Sequence, residues 1–256
     1  MPPIDGFLID LDGVLYEDDH VLPGAVDTMR HLRERAYSFR FLTNTTMRSR
    51  FALVQKLREL GIEAQPEEMF STCVVATHWL RRQGISRIHP LVPRAAQEDF
   101  AEFQITDDQP EAVVIGDLGN EFNFDVLNHA FRLIRGGARL IALQKNRFWQ
   151  RNDGLALDVG PFVVALEYAA ETKASVIGKP NPAYFETALR DLSLPAERVA
   201  MVGDDIENDI AGGQAVGLKT ILVRTGKYRV DDVSRSACIP DWTLDSIGDL
   251  PALLGS

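Results

Sequence analysis

Two aspartates two positions apart, Asp10 and Asp12, close the apolar run Gly6-Phe7-Leu8-Ile9-Asp10-Leu11 and are followed at once by Gly13. Side chains two apart on an extended strand point the same way, so both carboxylates are aimed at one site. Converging acids need a cation or a proton between them. In a phosphoryl-transfer site Asp10 suits the nucleophile and Asp12 the general acid, while Gly13 lets the backbone turn sharply and come close to a phosphate. Alone, the same string also fits two loop acids capping a turn. Its meaning depends on what else reaches the same place.

Three further groups do. Thr43 and Asn44 end a second apolar run and offer a hydroxyl and an amide suited to phosphate oxygens, though both residues also favour turns. Lys179 follows Val176-Ile177-Gly178 and precedes Pro180-Asn181-Pro182, where Asn181 is a good helix N-cap and Pro182 a good first helical residue. A lysine at such a junction is a fixed positive charge. Val202-Gly203-Asp204-Asp205-Ile206-Glu207-Asn208-Asp209 places four acids within six residues, a repulsive arrangement unless a cation is present. With no Cys or His cluster nearby, the donors are hard oxygens, which favours Mg2+ over zinc. Asp204 is then the direct ligand, and Asp205 or Asp209 holds the metal's waters. A similar string, Val114-Ile115-Gly116-Asp117, lacks the second adjacent acid and reads as structural, or at most as lining the substrate entrance.

These groups need a frame that brings distant segments to one edge. Strands are expected at 6–11, 38–42, 174–177, 198–202 and 219–223, with helices at 24–35, 48–60, 182–192 and 210–216. Val26, Met29 and Leu32 share one face of the first helix; Leu53, Val54, Leu57 and Leu60 share one face of the second, which Gly61 stops. Alternating strands and helices predict a parallel α/β sheet covered on both faces, doubly wound in the Rossmann manner, with ligands at the carboxyl ends of its strands. All four groups are expected at such ends of this one sheet. Residues 77–172 carry strands at 88–92, 112–115 and 139–143 and helices near 125–134 and 162–170. They read as a smaller inserted α/β domain, with 1–76 and 173–256 forming the core.

The chain has 256 residues, 45% hydrophobic and 25% charged, the balance of a globular protein. A net charge of −10 gives no footprint for nucleic acid or an anionic membrane, and no apolar stretch is long enough to cross a bilayer. A cytoplasmic location is expected. The two cysteines, Cys73 and Cys238, lie far apart in apolar surroundings and read as reduced, buried thiols. No GxGxxG follows the first strand, which argues against a dinucleotide enzyme.

In this order, Asp10-Leu11-Asp12-Gly13-Val14-Leu15, Leu42-Thr43-Asn44, Gly178-Lys179-Pro180 and Gly203-Asp204-Asp205 through Asp209 resemble the four motifs of the haloacid dehalogenase-like (HAD) hydrolases. An insertion between the second and third motifs resembles the larger cap of the subfamily IIA phosphatases. Within them, the stretches 155–161, 165–169 and 223–228 look most like the phospholysine phosphohistidine inorganic pyrophosphate phosphatases and their domain-containing relatives. The resemblance implies Mg-dependent hydrolysis of a small phosphorylated compound through an aspartyl-phosphate on Asp10. Asp12 serves as acid and then base, and Asp10, Asp12 and Asp204 hold the metal. Lys179, Thr43, Asn44 and the backbone N–H groups of Leu11 and Asp12 would hold the phosphoryl oxygens. Sugar phosphates, pyridoxal phosphate, pyrophosphate and N-phosphorylated groups all fit, and a cap-to-cap homodimer would suit the family. A non-catalytic phosphate-binding module on the same fold would be expected to lack one of Asp10, Asp12, Lys179 or Asp204, and none is missing. In the cap, Lys145, Asn146, Arg147 and Trp149 form a cationic and aromatic cluster suited to a leaving group, or equally an exposed loop with a half-buried Trp149.

Overall fold

The computed structural model describes residues 4–151 and 154–255. The chain divides into two compact units: Met1–Thr43, Phe51–Phe70 and Lys179–Ser256 form one, Asn44–Arg50 and Ser71–Gly178 the other.

The first unit is built on a six-stranded sheet in the order Trp242–Leu244, Lys219–Val223, Val199–Gly203, Gly6–Asp10, Ser38–Thr43, Met69–Ser71. The pairings among the first five of these strands are parallel. Gly6–Asp10 is buried along its whole length, as a central strand with both faces covered must be. Period-two alternation sends Phe7, Ile9, Phe39, Phe41, Ala200, Val202, Ile221 and Val223 into one core. The helices Ala25–Glu34 and Arg50–Glu59 close that core with Met29, Leu32, Leu53, Val54 and Leu57, while Val26 and Leu60 pack at its margin. The helix Pro182–Leu192 packs against Ser38–Thr43 and buries Tyr184 and Phe185.

The strand order explains where chemistry belongs. From the central strand the chain moves outward to Ser38–Thr43 and Met69–Ser71, then returns to the opposite side at Val199–Gly203. The order reverses between Gly6–Asp10 and Val199–Gly203, and at such a switch point the connections leave a crevice outside the carboxyl ends. Asp10 ends one of these strands and Asp204 follows the other.

The second unit has its own five-stranded parallel sheet, ordered Ser175–Val176, Arg139–Ala142, Ala112–Ile115, Arg87–Leu91, Gln104–Ile105. Helices Phe124–Arg135 and Val159–Ala170 bury Ala130, Ile134, Val163 and Leu166 against Val113, Ile115 and Leu140. An antiparallel hairpin pairs Phe148–Arg151 with Gly154–Leu157.

One strand lies elsewhere than its sequence suggests. Ser175–Val176 was expected in the first sheet but pairs with Ile141 and Ala142 in the second, and Ile177 and Gly178 extend the ladder through the carbonyls of Ala142 and Leu143. Ala174 and Val176 pack on the core of that unit. A short apolar run states that it will be buried, not against which sheet. The helix expected over 210–216 starts earlier, with a π-helical segment at Ile206–Ala211 followed by Gly212–Gln214. Cys73 is buried and Cys238 only half-buried; both are free thiols. Among the described residues no helix is long and apolar enough to cross a membrane.

Candidate active site

Asp10, Asp204 and Asp209 converge: one carboxylate oxygen from each lies within 4.8 Å of the others, and all three residues are buried. Asp10 ends the central strand and Asp204 comes just after its neighbour. Asp209 is turned inward by the π-helical segment, a wider coil often found at functional sites. Asp205 begins that segment as its N-cap, accepting from the backbone N–H groups of Glu207 and Asn208 at 3.1 and 2.9 Å. Burial alone would raise its carboxyl, but these bonds and the Asn208 amide outweigh burial and hold it below the ordinary aspartate range.

Lys179 is the counter-charge. Its Nζ donates to Asp10 Oδ1 and Asp209 Oδ1, each at 2.6 Å, and its side chain is 3% exposed. Burial would depress a lysine; Asp10 and Asp209 more than reverse that and hold the ammonium well above its usual range. Lys179 does not end a strand of the first sheet, as its sequence position suggested. It begins the last segment of the first unit and is fixed by the helix that follows it, whose N-cap Asn181 accepts from Ala183 N at 2.9 Å.

Lys179 touches two of the three carboxylates. Burial first, and then nearby carboxylates, push Asp204 and Asp209 upward: Asp10 and Asp209 raise Asp204, and Asp10 and Asp205 raise Asp209. Asp204 Oδ2 accepts from the Lys227 backbone N–H at 2.6 Å, whereas Oδ1 is buried with no hydrogen-bond partner. An orphaned carboxylate oxygen beside two other acids is what a hard dication would satisfy, and the all-oxygen donor set suits magnesium.

Asp12 stands apart from this trio. It begins a tight turn in which Gly13 N–H donates to Tyr16 O at 2.7 Å and Leu15 N–H to Leu11 O at 2.8 Å. Asp12 is an exposed residue, yet the protein crowded around its carboxyl, and then the charge of Asp10, raise it above the ordinary aspartate value. Leu11 has a fully buried side chain, so only its backbone can face a ligand. Thr43 is bracketed by the Tyr184 hydroxyl, which accepts from its N–H at 3.0 Å and lies 2.9 Å from its carbonyl and 2.5 Å from that of Phe70. Asn44, the next residue, belongs to the second unit, where its amide oxygen lies against Gly178.

In the sequence, residues 223–228 carried only the family likeness, and the turn after Lys219–Val223 was given no part in the site. Thr225 Oγ1 donates to Gly13 O at 2.5 Å, Gly226 N–H to Glu17 Oε1 at 2.9 Å, and Lys227 supplies the bond to Asp204. Gly13 and Gly226, both at positive φ, clasp the Asp204 carboxylate so closely that a Cβ on either would overlap it. Burial would lower the Lys227 ammonium, but Asp10, Asp204, Asp205 and Asp209 raise it. The available signal was Thr-Gly-Lys just beyond a strand's carboxyl end, the rule already applied to the other strands.

In the second unit Lys145 is committed to the buried Glu167, with Nζ 2.7 Å from Oε2. Asn146 donates its N–H to Gln144 Oε1 and accepts from Gly160 N through its carbonyl, both at 2.9 Å, so its backbone fixes the start of the Val159–Ala170 helix. Arg147 is exposed and, with Lys145, Phe148, Leu157 and Pro161, lines a cavity of about 620 Å³. The backbone of Trp149 pairs with Ala156; its side chain lies outside the described residues. Asp117 caps its own turn, accepting from Gly119 N at 2.7 Å.

A family model described as haloacid dehalogenase-like hydrolase matches residues 7–106, and a second HAD-hydrolase-like model matches residues 176–250. The human haloacid dehalogenase-like hydrolase domain-containing protein 2 is 43% identical over 93% of this chain and 91% of its own length. The human phospholysine phosphohistidine inorganic pyrophosphate phosphatase is 35% identical over 98% and 94%. Among solved structures, the p-nitrophenyl phosphatase from Archaeoglobus fulgidus superposes with a TM-score of 0.92 at 28% identity, covering 98% of this chain and 100% of that one. Similarity of this extent on the same fold places the protein: the chain belongs to the haloacid dehalogenase-like hydrolases, in their subfamily IIA phosphatase group.

Proposed function

We propose that the chain hydrolyses small phosphorylated compounds with Asp10 as nucleophile and Asp12 as the proton carrier. The observation that carries this reading is the position of Asp10, held by Lys179 at the sheet's switch point among Asp204 and Asp209. An Asp10 oxygen attacks phosphorus as the bond to the leaving oxygen breaks, and Asp12 gives its proton to that oxygen. Asp12, now a carboxylate, takes a proton from water as the water oxygen attacks the phosphorus on Asp10. Phosphate leaves and the Asp10 carboxylate is restored. A carboxyl with a raised pKa is suited to begin this cycle as an acid.

Asp10, Asp204 and Asp209 would hold Mg2+, directly or through its waters, with Asp12 near enough in sequence to contribute. When bound, the ion offsets negative charge on the transferring phosphoryl group. Lys179 balances the charge that remains on Asp10 and Asp209. Thr43, Asn44 and the N–H groups of Leu11 and Asp12 supply hydrogen bonds to phosphoryl oxygens, since positioning and electrostatics dominate this reaction.

Substrate choice belongs, in this proposal, to the inserted unit, with Arg147 and its cavity as the first place to look. The relative that carries phospholysine, phosphohistidine and pyrophosphate in its name supports P–N and P–O–P bonds as targets beside ordinary esters. The test is a panel with Mg2+: p-nitrophenyl phosphate, phosphohistidine, phospholysine, pyrophosphate, pyridoxal phosphate and sugar phosphates. Turnover of at least one that disappears in Asp10→Asn supports the proposal; turnover of none, or turnover that survives the substitution, rejects it.

A further inference from the structure

Two of the chain's five histidines meet in the second unit. His89 lies on the strand Arg87–Leu91, His129 on the helix Phe124–Arg135, and Asp107 just after the strand Gln104–Ile105. Asp107 Oδ1 sits 2.7 Å from His89 Nδ1 and 3.4 Å from His129 Nε2, and the two rings meet edge to face with centroids 5.0 Å apart. We propose that His89, Asp107 and His129 form a binding site for a transition-metal dication of the zinc class, separate from the carboxylates around Asp10.

The donor chemistry selects the ion. Two imidazole nitrogens and one carboxylate oxygen suit zinc and its neighbours, whereas magnesium and calcium take oxygen donors. Three protein ligands leave a fourth tetrahedral position for water. Bonds of about 2.0–2.1 Å to a tetrahedral ion set ligand atoms roughly 3.3 Å apart. The His129 to Asp107 separation of 3.4 Å already matches. The His89 to Asp107 pair must open by roughly 0.6 Å to reach that tetrahedral edge. Asp107, with a side chain 70% exposed, has room to do so.

A second observation separates this trio from an ordinary hydrogen-bonded cluster. His129 Nε2 is shielded from solvent and meets the shared oxygen at 3.4 Å without completing a hydrogen bond. Asp107 thus makes a full hydrogen bond to His89 and only a longer ion-pair contact to His129, a spacing at which an ion could draw all three groups together. The backbone is prepared on the side of Asp107 as well. Thr106 N–H donates to Ile88 O at 3.0 Å, and Asp108 N–H to Thr106 Oγ1 at 3.0 Å, so the residue between them is held beside the strand that carries His89. A bound ion would clip strand, loop and helix together.

The experiment is a calorimetric titration of chelator-stripped, tag-free protein with Zn2+ alone, in the intact chain and in His89→Gln and His129→Gln. Zinc held elsewhere in the chain appears in all three and cancels in the comparison. The expected result is one equivalent in the intact chain whose affinity falls by more than about 100-fold in either variant, beyond what losing an outer-shell partner costs. Far-UV circular dichroism checks that the variants fold. If they do not, 15N chemical shifts of the intact chain decide: stoichiometric Zn2+ should move both His89 Nδ1 and His129 Nε2. Equal Zn2+ binding in intact and variant chains, or histidine nitrogens that stay in place, overturns the assignment.

Discussion

Lys179 Nζ stands 2.6 Å from Asp10 Oδ1 and 2.6 Å from Asp209 Oδ1, with almost no exposure to solvent. It therefore neutralises the proposed nucleophile and a proposed metal-site carboxylate at once. Replacing it by Met leaves buried carboxylates uncompensated, and removing one member of such a pair costs about 3–5 kcal/mol. Lys179→Met should lower the stability measured by urea unfolding by that amount in metal-free buffer, with turnover lost even where the protein remains folded.

The carboxyls of Asp204 and Asp209 are raised in the folded chain relative to the ordinary value of 3.8. A folded state that binds protons more tightly than the unfolded one is fully favoured below the unfolded pKa and loses that advantage as pH rises through the folded one. Metal-free protein should therefore lose stability as pH climbs from about 4 towards and past neutrality. Mg2+ should flatten that slope and raise Tm at pH 7.5, because a ligand of the folded state stabilises it by mass action. Thermal melts across pH, with Mg2+ and with chelator, measure both. An Asp204→Asn chain should respond far less to the ion.

Leaving-group chemistry tests Asp12. General acid catalysis is worth about 10²–10⁴-fold where the leaving oxygen needs a proton. p-Nitrophenolate leaves without one, so Asp12→Asn should reduce the phosphoryl-transfer step less for p-nitrophenyl phosphate than for an alkyl phosphate. Single-turnover rates on the two esters give the comparison, and equal losses on both would remove Asp12 from the acid role.

Gly13 lies against the Asp204 carboxylate at positive φ, so Gly13→Ala introduces overlap and backbone strain together. The expected outcome is loss of the Mg2+-induced rise in Tm with the core otherwise folded. By contrast, Leu57→Ala, deep in the first unit, should cost about 2–5 kcal/mol of stability while leaving the metal response intact. The same melts distinguish the two.

Most of the frame could be read in advance because its signals are local. Burial of 6–10 on both faces, the apolar stripes of Ala25–Glu34 and Arg50–Glu59, the cap at Asn181 and the acids after Val199–Gly203 each follow from a short window of residues. What escaped depends on tertiary partners. Ser175–Val176 carries no mark of which sheet it will join, since either would bury Val176. The inward turn of Asp209 needs the π-helical segment, and the bond from Lys227 to Asp204 needs a loop more than twenty residues downstream to fold back over Gly13. His89, Asp107 and His129 come together only through the packing of a strand, a loop and a helix, and no spacing along the chain announces them.

The central claim is that phosphate passes through Asp10. Acid quenching during steady turnover of a 32P-labelled substrate, followed by peptide mapping, tests it most directly. The expected result is hydroxylamine-labile phosphate on the peptide containing Asp10, absent from Asp10→Asn, with turnover reduced by about 10⁴-fold or more. Continued turnover with no label on that peptide, or full turnover by Asp10→Asn, would contradict it.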